Sequence, residues 1–316
     1  MEEPLVYIVI SNYQGLTNQY KGVPLIKACL DNLFSKTRYK NYRVIVADDK
    51  SSDDSVAFVR KNYPRVRITI DKYGWNSARN NNSAVRSIKG HYDYVILMNN
   101  DIIITEGDWL TRFVRDARKT RADIMGCKLL YPDGRLQQAG LVTSFPPYAV
   151  GRGSMDSDKY STIKRVGGVG AAVMLIRREC IERIGLLDEV YNFGPDDAEY
   201  CIRATRAGMR IIYDGKISML HLEGWSTANS KVTGSSFTTF YYYQRGFIHF
   251  VKDNFGALYI PYLLLYELGN AIISVEGKDR KRGITSIRLK NKPLQRLYVT
   301  FKAWKDYLFN IDYNPT

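Results

Sequence analysis

An α/β fold built on a parallel sheet is predicted by two features of the first hundred residues. Short β-branched runs alternate with segments of helical spacing, and the first, second and fourth runs lead directly into Asn or Asp. Leu5–Ser11 is the first run, and Asn12 follows it. Pro24–Ser35 then sets Leu25, Ile26, Cys29, Leu30 and Leu33 on one helical face. Tyr42–Ala47 is the second run and stops at Asp48-Asp49. Ser55–Asn62 is helical, Val66–Ile70 is the third run, and Ser77–Ile88 is helical. Tyr94–Met98 is the fourth run, and Asn99-Asn100-Asp101 closes it. Parallel sheets of this kind bind ligands beyond the carboxyl ends of their strands. The polar endings therefore predict the rim of a pocket.

The second part of the chain is more mixed. Trp109–Thr120 reads as a helix, and Ile124–Tyr131 as a strand ending in the turn Pro132-Asp133-Gly134. Residues 143–165 have weak periodicity and many small polar residues, which predicts a long mobile loop. Val169–Ile176 reads as a strand and Arg178–Ile184 as a short helix. Asp196–Ala207 reads as a helix capped by Gly208, and Arg210–Tyr213 and Ser218–His221 as two short strands. Phe240–Asn254 is an aromatic, basic helix. Residues 256–275, GALYIPYLLLYELGNAIISV, are long enough to span a bilayer, but Pro261, Glu267, Gly269 and Asn270 interrupt them. That pattern predicts a helix lying on or in one leaflet. From 276 to 316 there are ten Lys/Arg against four Asp/Glu, a composition suited to anionic headgroups.

Composition sets the partner classes. The 316 residues carry 46 Lys+Arg against 32 Asp+Glu, a net charge of +14. Such a surplus points to nucleic acid, acidic lipid or a phosphorylated substrate. Cysteines 29, 127, 180 and 201 form no CxxC pair, which disfavours a zinc cluster and predicts a reduced, cytosolic protein. The start MEEPLVYIVI has acids where a secretory signal carries basic residues.

Five stretches bear chemistry. Asp48, at a strand end, suits a nucleoside N–H or hydroxyl, whereas Asp53 or Asp54 serves as a helix cap. Asn99 and Asp101 are two apart and address one object in extended geometry. One amide and one carboxylate form a lean set for Mg²⁺, so substrate phosphate must complete it. An Asx turn is the alternative there. Asp196, Asp197 and Glu199 open a helix, where acids complement the dipole. Crowded acids also raise one another's pKa and supply a base, and both readings stand. His221 ends a run, as a structural residue or as a ligand. Tyr73–Asn80 opens a helix with Gly74 before Arg79, a pattern that suits phosphate.

Taken in order, VYIVISNY, VIVADDKSSDDS, YGWNSARNNN, YVILMNNDI, GGVGAAVMLIRRECIERIGLLDE, FGPDDAEYCIRATRAGMRIIYDG and HLEGWS resemble family 2 glycosyltransferases, from about residue 4 to 250. The flavour is that of rhamnosyltransferase-like members of cell-surface polysaccharide assembly. The resemblance implies a GT-A nucleotide-sugar (Rossmann-like) mixed sheet flanked by helices, with a C-terminal helical extension. It divides the chain into a catalytic domain at 1–238, with halves near 1–105 and 106–238, and a basic helical region at 239–316. It implies a nucleotide-diphosphate sugar held by Ser11, Asn12, Asp48, Asp49, Arg79, Asn80, Asn99 and Asn100. Asp101 and His221 would bind Mg²⁺ or Mn²⁺. Asp197 would be the general base, and Asp196, Glu199 and Trp225 would meet the acceptor. Asn82 stands where many members have Gly. The implied reaction is an inverting transfer, and the apolar 256–275 run with the basic tail points to a glycan or lipid-linked acceptor at the inner face of the membrane. A soluble or protein acceptor is the rival within enzymes. Nucleic-acid binding is the rival outside them, and acids at the strand ends speak against it because they repel phosphate backbones.

Overall fold

The computed structural model describes residues 3–145, 147–222, 235–265, 293–309 and 311. Chain order runs β1 (Val6–Asn12), a ribbon of β2 (Gln19–Tyr20) and β3 (Val23–Pro24), α1 (Leu25–Lys36), β4 (Tyr42–Asp48), α2 (Ser55–Asn62), β5 (Arg67–Ile70), α3 (Ser77–Arg86) and β6 (Tyr94–Asn99). Then come β7 (Ile102–Ile104), α4 (Trp109–Thr120), β8 (Ile124–Leu130), β9 (Leu136–Gln138), β10 (Leu141–Val142), β11 (Tyr148–Ala149), β12 (Ile163–Arg165), β13 (Val173–Arg177), α5 (Arg178–Ile184), α6 (Asp196–Arg206) and β14 (Ile211–His221). Two further helices, Ser235–Phe255 and Pro293–Leu308, follow.

The main sheet has the order β12-β14-β8-β13-β6-β1-β4-β5, with β7 on β14 and β9 on β8. β5, β4, β1 and β6 are parallel, as the alternation predicts. β13 enters antiparallel between β6 and β8, which makes the sheet mixed. Alternating side chains feed two cores. Val6, Ile8 and Ile10 of β1 meet Ile26, Leu30 and Leu33 of α1 and Phe113 of α4 on one face. Val9, Val95 and Leu97 meet Ala84 of α3 and Tyr200, Cys201 and Ala204 of α6 on the other. The sheet is thus covered by helices on both sides, which explains its near-continuous apolar strands.

Three expectations change. Residues 143–165 are not a free loop: β11 pairs with β10, β12 pairs with β14, and Phe145 packs among Phe247, Phe255, Tyr259 and Tyr262. The strand expected from Val169 starts at Val173, because Gly170 and Ala171 spend their N–H groups on side chains. The two short strands after Arg210 are one strand, β14, with a register shift between Asp214 and Ser218. Gly215 sits in that shift, against the Tyr160 carbonyl, where a side chain has no room.

The long helix Ser235–Phe255 packs Phe247, Ile248, Phe250 and Val251 against Ala198 of α6, Tyr191 and Trp304. The stretch 256–275 is described only to 265, as a 3-10 turn at Ala257–Tyr259 leading into helical residues 260–265. Among the described residues no helix is long and apolar enough to cross a membrane.

Candidate functional site

β1 is the switch point of the parallel half: the chain steps from it to β4 on one side and returns to β6 on the other. The crevice lies beyond its carboxyl end. There Asn12 stands opposite Asp48, and Ser11 opposite Asn99. Asn100 Nδ2 donates to Asn12 Oδ1 at 2.7 Å, and Asn12 Nδ2 donates to Asp48 Oδ2 at 2.8 Å. Asp48 also accepts from the Ser51 backbone N–H (2.8 Å) and hydroxyl (2.7 Å). Asp48, Asn12 and Asn100 therefore form a buried brace across three strands, and Asp48 has both oxygens engaged. Its neighbour differs: Asp49 Oδ1 is buried and accepts no hydrogen bond among the described residues. Burial, then the Asp71 charge, pushes the Asp49 carboxyl up to about 7. Of the two predicted acids, Asp49 is the one with capacity left for a ligand. Tyr13, close enough to feel the Asp49 charge, lies with its ring centre 5.5 Å from that of Trp75.

The opening of α3 is fixed by Asn76, whose side chain accepts from the Arg79 N–H at 2.7 Å. Arg79 bonds both oxygens of Asp71 (3.2 and 2.9 Å) and the Gly74 carbonyl (2.7 Å). Asn80 donates to the Ala47 carbonyl (2.8 Å), and its Oδ1 is buried with no partner among the described residues. Asn82 ties α3 to the loop before α6: it donates to the Leu187 carbonyl at 2.8 Å and accepts from the Leu187 N–H at 3.2 Å. A glycine there would lose both bonds, so the asparagine at this position staples α3 to the loop before α6.

β7 brings the second half of the site to the first. Its pairing sets His221 opposite Ile102, and the Leu222 N–H bonds the Asp101 carbonyl at 3.0 Å. His221 Nε2 thereby lies 3.1 Å from Asp101 Oδ1. The imidazole tautomer follows from its neighbours. Gln137 Oε1, 2.8 Å from Nδ1, only accepts, and Asn99 Nδ2, 3.4 Å from Nε2, only donates. Nδ1 therefore carries a proton, and Nε2 faces Asp101 Oδ1, as the second N–H of an imidazolium paired with the carboxylate or as the lone pair of a neutral ring. In the neutral ring the two atoms share a cation, and a metal ion takes the place that a proton holds in the imidazolium. A divalent ion fits this donor set, held by Asp101 and His221 with oxygens of a diphosphate. Among the described residues no three His, Cys, Asp or Glu converge on such a point, so the phosphate oxygens are needed.

Asp197 sits at the first turn of α6. It accepts from the Ala171 N–H at 3.3 Å and the Ala198 N–H at 2.7 Å. The next residue, Ala172, accepts from the Asn99 N–H at 3.1 Å, so the base candidate and the β6 rim flank one two-residue segment. Burial raises the Asp197 carboxyl, and burial plus the Asp197 charge pushes Asp196 up to about 7. Glu199 is paired with Arg203 through both oxygens at 2.9 Å, and Arg203 also holds the Ile184 and Leu186 carbonyls. An acceptor contact by Glu199 requires breaking that pair. Trp225 lies outside the described residues. The sequence reading missed Gln137, Gln138, Ser51 and Asp71. Gln137 and Gln138 sit in no recognisable motif and bond residues 84 and 32 positions away. Ser51 lies in the Asp48 stretch and Asp71 directly after the third run, where the sequence shows the polar residue but not the group it bonds.

A nucleotide-type switch point joined to an antiparallel insertion, with acids at the rim, is the architecture of GT-A glycosyltransferases. The chain belongs to glycosyl transferase family 2, whose family model matches residues 8–185. It is 26% identical over 213 residues to the O-antigen biosynthesis protein RfbC of Myxococcus xanthus, covering 64% of this chain and 16% of that protein. It is 24% identical over 210 residues to rhamnosyltransferase WbbL of Escherichia coli K12, covering 62% of this chain and 78% of that protein. The fold is shared with the mannosyltransferase PcManGT of Pyrobaculum calidifontis, solved with GDP-Man and Mn²⁺: TM-score 0.55, 15% identity, 98% of this chain and 89% of that one. It is also shared with GalNAc-T7 bound to UDP, GalNAc and Mn²⁺: TM-score 0.61, 12% identity, 98% of this chain and 57% of that one.

Proposed function

We propose that this chain is an inverting glycosyltransferase that moves a sugar from a nucleotide-diphosphate donor to a hydroxyl of a glycan or lipid-linked acceptor. The observation that carries the reading is the buried Asp101 carboxylate with His221 Nε2 3.1 Å from its Oδ1 at the sheet's switch point. The GDP-Man and Mn²⁺ in the mannosyltransferase, and the O-antigen and rhamnosyl names of the relatives, support the substrate class.

Asp49, Ser11 and the Tyr13–Trp75 pair receive the nucleoside, with Asn12, Asp48 and Asn100 holding the strand ends in place. Asn80, Asn99 and Arg79 address the diphosphate. Asp101 and His221 hold Mg²⁺ or Mn²⁺, which neutralises charge on the departing diphosphate when bound. Asp197 takes the proton from the acceptor hydroxyl as its oxygen bonds to the anomeric carbon. The bond from that carbon to the diphosphate oxygen breaks, and the electron pair leaves with the nucleotide. A single displacement inverts the centre. Asp196 lies beside Asp197 and, with Trp225, meets the acceptor.

The division near residue 238 separates this machinery from a membrane-facing region. The helix Pro293–Leu308 is apolar on two sides. Val299, Ala303 and Trp304 face inward, while Tyr298, Phe301 and Leu308, with Phe309, are all more than half exposed. Leu258 and Leu265 are exposed as well. Exposed aromatics with Lys305 and a basic tail suit an anionic bilayer surface, where a lipid-linked acceptor is presented.

The test pairs one variant with one treatment. Asp197→Asn is expected to keep donor binding, by calorimetry, while transfer falls by about 10²–10⁴. EDTA is expected to abolish turnover, and Mn²⁺ or Mg²⁺ to restore it. Full turnover by the variant rejects the base, and turnover unaffected by chelation rejects the cation.

A further inference from the structure

The strand β9 carries two adjacent glutamines, Gln137 and Gln138, that no site motif contains. β9 pairs with β8 at Leu129↔Gln138 and Leu130↔Leu136, so the register slips at Gln137. Such slips re-aim side chains and recur beside active sites. Gln137 is buried, and its Oε1 accepts from His221 Nδ1 at 2.8 Å. Gln138 Oε1 accepts from the Gly170 N–H at 2.8 Å. A Cβ at Gly170 would lie 2.7 Å from Gln138 Nε2, so a side chain there displaces that amide. One strand therefore braces both the imidazole and the loop leading to Asp197.

We infer that Gln137 is the positioning residue that fixes the His221 tautomer and so turns the Nε2 lone pair toward Asp101 and the cation. The inference rests on the proposed metal site. An imidazole has one proton to place when neutral. A carbonyl oxygen at Nδ1 takes it, and Nε2 is left as the ligand atom. Partners of this kind orient metal-binding histidines, and losing one costs roughly 10- to 100-fold in metal affinity. Gln137 needs no charge to do this, which leaves the net charge of the cation site to Asp101.

The variants are Gln137→Leu, Gln137→Glu and, as a control on the same strand, Gln138→Leu. Mn²⁺ alone is titrated into the full chain and followed by electron paramagnetic resonance. The ring of His221 is observed by ¹⁵N-imidazole NMR, which is practical because the chain has three histidines. Wild type is expected to show the Nδ1-protonated ring. Gln137→Leu is expected to shift the ring toward the other tautomer and to weaken Mn²⁺ binding about 10- to 100-fold. Gln137→Glu, whose carboxylate also accepts from Nδ1, is expected to restore both readouts. Gln138→Leu is expected to leave both unchanged, even where thermal melts show lower stability. Equal loss in the two Leu variants marks generic strand damage and overturns the inference. So does an Nε2-protonated ring in wild type, or unaltered Mn²⁺ affinity in Gln137→Leu, and neither touches the cation reading itself. Wild type that binds no Mn²⁺ overturns both.

Discussion

Asp196 and Asp197 share the first turn of α6, where burial raises both carboxyls and the Asp197 charge raises Asp196 further. A carboxyl raised on folding binds its proton more tightly in the folded chain. Its contribution to stability is present in acid and is lost as pH rises from the ordinary value of 3.8 toward about 7. Asp196→Asn removes that loss. The variant is expected to melt a few degrees higher than wild type at about pH 8 and at the same temperature near pH 4, by calorimetry. With Asp197 as the proposed base, its raised carboxyl predicts that kcat falls on acidification at a pH above the usual carboxylate range, because a base works only when ionised. Residue types at this scale were legible: the acid cluster in PDDAE announces unusual carboxyls. Which of them is spoken for was not. Glu199 is bound to Arg203 and Asp48 to Asn12 and Ser51, and only folding shows it.

At the scale of elements, the parallel half was readable because each strand and helix is specified by its own periodicity. The antiparallel half was less so. β7, β9 and β11 are three residues or fewer, too short to carry a period, and β12 arises inside a stretch that reads as loop. β9 and β11 pair with the strands just before them, β8 and β10, while β7 and β12 are completed by β14, distant in sequence. One tie between elements can be measured. Asn82 is buried within α3 and spends its amide on Leu187. Asn82→Ala leaves that loop's backbone groups unpaired and is expected to cost about 2 kcal/mol in urea unfolding. A loss no larger than that of an exposed helix substitution refutes the staple.

At the scale of the whole molecule, the C-terminal helices extend the catalytic body through the cluster of Tyr191, Ala198, Phe247 and Trp304 and turn a second apolar side outward. Full-length protein is expected to sediment with vesicles containing anionic lipid and to be released by high salt. Phe301→Ser with Leu308→Ser is expected to weaken that association several-fold while leaving the melting temperature near wild type. Salt-independent recovery in the supernatant, or self-association through this face in light scattering, rejects the membrane role.

The sequence by itself determined the α/β class, the succession of strands and helices through β6, and the polar rim where those strands stop. Each follows from short-range facts: period, β-branching, and the need of a strand-end polar group for a partner. Only the tertiary structure decided that the rim is completed by β14, that Gln137 orients His221, and that Asn82 holds α3 to the loop before α6. Those contacts join residues about 85 to 120 apart. No local pattern encodes them, because a hydrogen bond is chosen by which groups burial brings within 3 Å of one another, and that is a property of the packed sheet.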